Sequence, residues 1–231
     1  MDNLQANLKA SIGNLFTDSS PYLEDVLKLT NKSIEELYNE GKIAIRNESS
    51  LSGLALQFRV KKMLRDMGYD VGDGRSPDLE DLILKYQSNY ETKLNIVIEV
   101  KSGKKPQVSR DDLRQLDDWI FDLSGEEDAR KWKPKKIGGP NIGASQGVWI
   151  RHIHPTPHKG VMIYNGPTSK DFPSRSNECI NPNDVDFVTK RNFCIIPFSI
   201  LIRKYNEIKE GDLTTEQFWE EMHSAVGLLR E

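Results

Sequence analysis

The spacing of apolar residues along the chain predicts a series of helices. The clearest apolar stripe runs from Ser50 to Met67, and Gly68 follows it as a stop signal. The segment RDDLRQLDDWIFDLSG predicts an amphipathic helix, and ILIRKYNEIK predicts another. The last segment, TTEQFWEEMHSAVGLL, predicts a closing helix capped by Thr214 or Thr215.

Short apolar runs between these helices predict strands. A short edge strand is predicted for YDV. An antiparallel hairpin is predicted for DLILKY and KLNIVIEVKS, which are joined by the polar segment QSNYET. Three further strand candidates follow a long charged and Gly-rich loop: VWIRHI, GVMIYNG and NFCIIPF. The order of helices, strands, helix, strands and helices predicts an α/β architecture, a central mixed sheet flanked by helices.

The N-terminal stretch, up to about Asn47, predicts short helices of its own. SIEELYNEGK opens with the Ser-x-x-Glu pattern of a capping box and reaches a glycine that suits a helix C-terminus. We therefore expect an accessory helical segment over residues 1–47 and one domain over residues 48–231. Helices in residues 199–231 should pack on the core of that domain.

Composition narrows the class of protein without naming a function. The chain has 231 residues, 37% of them apolar and 29% charged, as in an ordinary globular protein. A formal net charge of -3 offers no bulk attraction for nucleic acid, so any such binding must depend on local patches. Without a membrane-length apolar segment or a secretory signal, the sequence predicts a cytoplasmic protein with no membrane partner. In the cytoplasm, the simpler interpretation of Cys179 and Cys194 is two buried free thiols and not a disulfide.

The run NIVIEVKSGKK, which begins at Asn95, carries an unusual pair of charges. Glu99 and Lys101 interrupt a strand that otherwise reads as buried, and residues two apart share one face of a strand. An ion pair on a solvated face is the simplest explanation. However, Pro77-Asp78 precedes the neighbouring strand, and strands lie only about 5 Å apart, so Asp78 and Glu99 could converge on one hard cation.

Together, these residues resemble the motif of the PD-(D/E)XK nuclease superfamily, over roughly Ser50 to Ser124. In that superfamily a Pro-Asp precedes one strand, Glu-x-Lys closes the next, and a helix lies on either side of them in sequence. The resemblance implies a restriction-endonuclease-like core and a metal-dependent nuclease that cleaves DNA in preference to RNA.

The resemblance also implies a role for each matching residue. Asp78 and Glu99 would bind Mg²⁺ or Mn²⁺, with the backbone carbonyl of Val100 as a further ligand. Lys101 would position or deprotonate the attacking water and stabilise the charge that develops on the phosphate. Gln115 matches a glutamine that touches the metal site or the nucleic-acid backbone in some members.

Two positions leave alternatives open. Members often carry a glutamate about three turns before the glycine that ends the first helix, and this chain has Gln57 there. Glu48 is the nearest upstream acid, but it is expected to lie before the helix, so Gln57 is preferred at this place in the site, where it could hold a metal-bound water. Asp81 also lies near the start of its strand and could replace Asp78 as the ligand, although the Pro-Asp context favours Asp78.

Basic residues predict where nucleic acid could bind. Lys104 and Lys105 follow the Glu-x-Lys strand, and the segment ARKWKPKKIGG places further lysines around Trp132, namely Lys131, Lys133, Lys135 and Lys136. A solvated charged loop is the alternative for that segment. The segment RHIHPTPHKG holds His152, His154 and His158, for which a plain surface loop is favoured over a zinc site or a phosphate contact.

The sequence therefore predicts a metal-dependent phosphodiesterase that acts on nucleic acid. Two other hypotheses remain: a nuclease-fold protein that binds DNA or assembles without useful catalysis, and an RNA-cleaving member. The replacement of an acid by Gln57 keeps the non-catalytic hypothesis open. The helices at both ends also leave open a homodimer.

Overall fold

The structure is a computed structural model that describes residues 32–39, 48–74, 81–86, 94–124 and 157–230. Within these ranges the helices are α1 (Ile34–Asn39), α2 (Gly53–Asp66), α3 (Arg110–Ser124), α4 (Val185–Lys190), α5 (Phe198–Glu210) and α6 (Thr215–Ser224). The strands are β1 (Asp70–Asp73), β2 (Leu82–Tyr86), β3 (Leu94–Ser102), β4 (Pro157–Asn165), β5 (Cys194–Pro197) and β6 (Gly227–Leu228). Short 3-10 turns lie at Glu48–Ser50, Phe172–Ser174 and Pro182–Asp184.

The described strands form one mixed sheet in the order β1-β2-β3-β4-β5-β6. The first three pair antiparallel, so the predicted hairpin of β2 and β3 and the predicted edge strand β1 are confirmed. From β3 onward the pairs are parallel, which brings the carboxyl ends of β3, β4 and β5 to the same edge of the sheet. Loops at that edge are the usual place for a binding site in α/β proteins.

Helices cover both faces of the sheet because the central strands are apolar on both sides. In β3, Ile96, Ile98 and Val100 face the core formed with α2, α5 and α6. Val97 faces the opposite core, formed with α3 and α4. The predicted α/β class, with a mixed sheet flanked by helices, is therefore confirmed.

Several helix boundaries agree with the local signals in the sequence. Ser33 and Glu36 form the predicted capping box of α1, and Thr214 and Gln217 form one at the start of α6. The predicted stop at the end of α2 is Gly68, whose φ of 98° is in the left-handed region that glycine favours. Residues 1–31 and 40–47 of the predicted accessory segment lie outside the described residues.

The C-terminal prediction was partly wrong. The closing helix ends at Ser224, and Gly227–Leu228 instead extend the sheet as β6, parallel to β5. The short helix α4 was not predicted, because six residues are too few to show a helical period. The strand predicted for VWIRHI lies outside the described residues.

Two features of the interior bear on the expectations for chemistry. Cys179 and Cys194 are free, as predicted, and burial raises the pKa of each thiol to about 12. Neither is therefore a ready nucleophile or metal ligand. Among the described helices, none has both the length and the apolar character that crossing a membrane would require.

Candidate active site

Glu99 and Lys101 lie side by side near the carboxyl end of β3. The Lys101 Nζ and Glu99 Oε1 are 2.6 Å apart, as expected for neighbours on one face of a strand. The Glu99 side chain is only 1% exposed, whereas that of Lys101 is 26% exposed. This pair is therefore not a solvated surface ion pair, because its acid is buried and its base reaches toward solvent.

Glu99 has one oxygen without a hydrogen-bond partner. Its Oε2 is buried, and no donor within the described part of the chain reaches it. An unsatisfied buried carboxylate oxygen is costly, so such an atom in a native fold calls for an explanation. A cation bound beside Glu99 would satisfy this oxygen.

Asp81 brings a second carboxylate to Glu99 from the neighbouring strand. It lies one residue before β2, and the last pair of the β2–β3 register is Leu82 with Ile98, so Asp81 continues that register opposite Glu99. Its Oδ2 accepts a hydrogen bond of 2.7 Å from the backbone amide of Val100. The Asp81 side chain is thereby held against the strand segment that carries Glu99 and Lys101.

The proximity of these charges shifts two pKa values. Burial, and then the negative charge of Asp81, raise the pKa of Glu99 to about 7 in spite of the Lys101 ammonium. Burial alone would lower the pKa of Lys101, but the Glu99 carboxylate, with support from Asp81 and Asp112, makes the net shift upward. Lys101 therefore stays positively charged beside two acids.

Gln57 contacts the backbone at Asp81. Its Nε2 donates to the Asp81 carbonyl at 2.9 Å, and the amide of Gly74 donates to the same carbonyl at 3.0 Å. Gln57 thus helps to fix the position of Asp81. Glu48 lies before α2, as expected, and its Oε1 pairs with Arg59 at 2.5 Å.

Helix α3 presents Asp112 toward this cluster. Asp112 closes a capping box with Ser109 at the start of the helix, and its negative charge acts on both Lys101 and Tyr164. Sequence reasoning missed Asp112, because the Ser-x-x-Asp pattern indicates only the start of a helix and not the proximity of Asp112 to Lys101. Gln115 is half-buried one turn later, and its amide makes no hydrogen bond to the described part of the chain.

The remaining predicted residues divide into two groups. Lys104 and Lys105 are exposed in the loop after β3, and the backbone of Val100 lies in the cluster. The other group lies outside the described residues: Asp78, His152, His154, and the lysines around Trp132. The side chain of His158 lies outside them as well. The metal role predicted for Asp78 and the nucleic-acid contacts predicted for those lysines stay predictions.

The donor set fits a hard divalent cation. Carboxylate oxygens from Asp81 and Glu99, together with a strand carbonyl, are the ligands that Mg²⁺ and Mn²⁺ prefer, and such ions retain several waters. The unpartnered Glu99 Oε2 provides a ligand position that no protein donor occupies. Among the described residues, no group of three or more His, Cys, Asp or Glu side chains is placed so that it could hold a metal ion.

The fold is similar to that of a restriction endonuclease. A structure of FokI bound to DNA matches with a TM-score of 0.53 and 11% identity, over 80% of this chain and 29% of FokI. A second FokI structure matches with a TM-score of 0.51 and 11% identity, over 77% of this chain and 28% of FokI. No protein-family model and no curated protein matches the chain.

These matches show that the fold is restriction-endonuclease-like. This chain spans less than a third of the length of FokI, and at 11% identity the likeness concerns the fold alone. The predicted fold class is confirmed, and the Asp81, Glu99 and Lys101 cluster is the feature of this chain from which a function can be proposed.

Proposed function

We propose that the protein is a metal-dependent nuclease that hydrolyses phosphodiester bonds, with DNA as its substrate in preference to RNA. The observation that carries the proposal is the buried Glu99, with one oxygen paired to Lys101 and the other without a partner, beside a second acid. An apolar strand that carries this pair at the loop edge of the sheet is poorly explained by stability. The fold likeness to FokI, a restriction endonuclease, supports the same function.

Asp81 and Glu99 would hold Mg²⁺ or Mn²⁺, with the Val100 carbonyl as a further ligand. When bound, the cation would neutralise charge on the scissile phosphate and lower the pKa of a nearby water. Asp81 is preferred to Asp78 in this role because its carboxylate is held by the Val100 amide. Gln57 would act by positioning Asp81 through the backbone contact.

Lys101 would act on the reacting groups directly. Its ammonium is anchored by Glu99 and partly exposed, so it can meet a phosphate that approaches from solvent. In hydrolysis a water oxygen bonds to phosphorus and gives up one proton to the solvent, while the bond from phosphorus to one ester oxygen breaks and that released oxygen takes up a proton. A fixed positive charge beside the phosphate stabilises the negative charge that builds up during this step.

A second candidate function is a nuclease-fold protein that binds DNA without cutting it. It is favoured by Gln57, since an amide on α2 leaves the site with one fewer negative charge than a third carboxylate would. Such a protein should bind the divalent cation weakly. A homodimer formed through the terminal helices belongs to either proposal.

The first experiment is a cleavage assay with Mg²⁺, Mn²⁺ or EDTA on duplex DNA, single-stranded DNA, branched DNA and RNA. We expect cleavage of DNA with either cation, none with EDTA, and none from Lys101→Ala purified in parallel. Lys190→Ala is the matched control, because Lys190 is an exposed lysine on α4, remote from the loop edge.

Each outcome separates the hypotheses. Metal-dependent cutting that is lost in Lys101→Ala and kept in Lys190→Ala supports the nuclease and identifies its substrate. Cutting that survives in Lys101→Ala indicates a contaminating enzyme or another site. Binding without cutting on every substrate favours the non-catalytic protein.

A further inference from the structure

The loops that follow β3 and β4 run side by side at the edge that carries Lys101. Lys101 is in register with Tyr164, and the next pair is Ser102 with Asn165. Beyond the strands, the Thr168 amide donates to the Gly103 carbonyl at 2.9 Å.

Further contacts bring the two loops close together. The Tyr164 hydroxyl donates to the Lys105 carbonyl at 2.8 Å. A Cβ at Gly166 would lie 2.7 Å from that carbonyl, so only glycine permits the approach. The two loops therefore form one surface next to the candidate site.

Almost every cation in the described part of the chain has a partner. Seven of them form an ion pair with a carboxylate: Arg59, Lys61, Arg65, Arg110, Arg191, Lys204 and Arg230. Four described lysines have neither an ion pair nor a hydrogen bond from the ammonium: Lys104, Lys105, Lys170 and Lys190. Three of these four lie on the paired loops beside Lys101.

The acids near these loops are already engaged. Asp171 accepts a hydrogen bond from the Ser49 hydroxyl, and Asp112 closes the capping box of α3. Arg175, in the same loop as Lys170, is tied to backbone and side-chain oxygens and is not available as a free cation. The loops thus offer three unpaired ammonium groups, although the whole chain carries a net charge of -3.

We propose that Lys104, Lys105 and Lys170 form a binding surface for the sugar-phosphate backbone of DNA, continuous with Lys101. The choice of DNA as the ligand rests on the proposed function. The proposal adds a location for DNA binding next to the candidate site and adds Lys170 as a contact residue. Neighbouring strands are about 5 Å apart, so lysines from the two loops can reach successive phosphates of one DNA strand. Backbone contacts of this kind hold and orient the substrate without reading its sequence.

The test is equilibrium binding of a labelled DNA duplex in EDTA, where no metal-dependent cleavage occurs, over a salt series. The variant is Lys104→Gln/Lys105→Gln/Lys170→Gln. The matched control is Lys62→Gln/Lys190→Gln/Lys209→Gln, which removes the same charge. Its three lysines lie near the other end of the sheet: Lys190 precedes β5, Lys209 lies in the last turn of α5 and donates to the Asp66 carbonyl at the end of α2, and Lys62 pairs with the Asp66 carboxylate.

For the loop variant we expect affinity to fall roughly tenfold or more, because each lost phosphate contact weakens binding. The slope of log affinity against log salt concentration should become shallower by about 2.7, because each of the three lost lysine–phosphate contacts contributes about 0.9 to the slope. The control should retain the wild-type slope. Unfolding curves of both variants should stay close to that of the wild type, because the substituted side chains are exposed or only partly buried and the surface contacts of Lys62 and Lys209 with Asp66 contribute little to stability.

An unchanged slope in the loop variant, equal effects in both variants, or no DNA binding by the wild type at low salt would each overturn the proposal. The readout is separate from catalysis. If the wild type cuts DNA and the loop variant binds and cuts equally well, the surface is wrong and the nuclease stands. If nothing cuts but the loop variant loses binding, the surface stands and the catalytic proposal fails.

Discussion

At the scale of single residues, the main feature is the unequal burial of Glu99 and Lys101. An exposed pair of this kind would contribute little to the free energy of unfolding. A buried acid would lower that free energy unless partners satisfy both of its oxygens. Here the base satisfies only one oxygen and remains reachable from solvent. Such an arrangement is explained better by a ligand than by folding.

The choice between Asp81 and Asp78 leads to a prediction. Asp81→Asn should reduce cleavage by at least about a hundredfold, because losing a metal ligand costs more than losing one of its supporting contacts. Asparagine can still accept the hydrogen bond from the Val100 amide, so the fold should be kept. Asp78→Asn is the matched variant and should stay within about threefold of the wild type, a margin that corresponds to less than 1 kcal/mol of barrier.

The measurement is the single-turnover rate of DNA cleavage with Mn²⁺, alongside unfolding curves for both variants. If Asp78→Asn abolishes cleavage while Asp81→Asn remains active, the ligand is the aspartate of the Pro-Asp pair. In that case Asp81 has only a structural role, through its contact with the Val100 amide.

The sequence predicted some of these residues better than others. Strand alternation alone places Glu99 and Lys101 on one face, and the structure has them in contact. The position of Asp81 opposite Glu99, on which its proposed role rests, depends on the exact register of β2 against β3, which no local pattern determines. Asp112 was missed because its charge reaches Lys101 only after α3 has packed beside the sheet.

At the scale of elements, the turn before α2 is fastened to the end of β4. Asn165 is fully buried, and its Nδ2 donates to the carbonyl of Leu51 at 2.8 Å and to those of Glu48 and Ser49 at 3.3 Å. Arg175 donates to Asn165 Oδ1 and to the Ser49 carbonyl. The start of the helix that carries Gln57 is therefore held at the loop edge of the sheet.

This connection predicts a large stability cost for Asn165→Ala. The change removes the bonds to three carbonyls and leaves the Arg175 guanidinium with one fewer acceptor. We expect the free energy of unfolding to fall by about 2–4 kcal/mol, the range for breaking a buried hydrogen-bond network. Urea unfolding followed by circular dichroism measures this change.

Asn206→Ala is the control, since Asn206 is exposed on α5 and its change should stay within about 0.5 kcal/mol. A cost for Asn165→Ala no larger than that of the control would mean that the network contributes nothing measurable. The sequence could not have indicated the network, because Asn165 and its three carbonyl partners are separated by 114–117 residues.

Elements with a clear period were predicted well, whereas the short elements α4 and β6 were not. The apolar stripe of α2 and the alternation in β3 contain enough residues to show their periods. Strand β6 has only two residues and is defined by its pairing with β5. Its sequence, after an amphipathic helix, gave no reason to end that helix at Ser224.

At the scale of the whole molecule, charge is separated by location. The chain is acidic overall, yet its unpaired described lysines concentrate at the sheet edge where Asp81 and Glu99 meet. A divalent cation bound by these two acids would make the net charge at this edge of the sheet more positive. Metal binding and attraction for a phosphate backbone should therefore reinforce one another.

Metal binding should also stabilise the folded molecule as a whole. A cation that binds the native state alone adds about 1.4–2.7 kcal/mol at ten to a hundred times its Kd. For a chain of this size, that amount raises Tm by roughly 3–10 °C. We expect this rise for the wild type on adding Mn²⁺ after EDTA treatment, and none for Glu99→Gln, in which the partnerless carboxylate oxygen is lost.

Differential scanning calorimetry with and without Mn²⁺ measures the shift, and Glu207→Gln serves as the control because Glu207 lies on α5, away from the cluster. Glu99→Gln should itself fold, since a neutral amide is easier to bury than a carboxylate. An equal Tm rise in the wild type and Glu99→Gln would place the cation elsewhere. No rise in the wild type, at Mn²⁺ concentrations where it cuts DNA, would mean that the cation binds only together with the substrate phosphate.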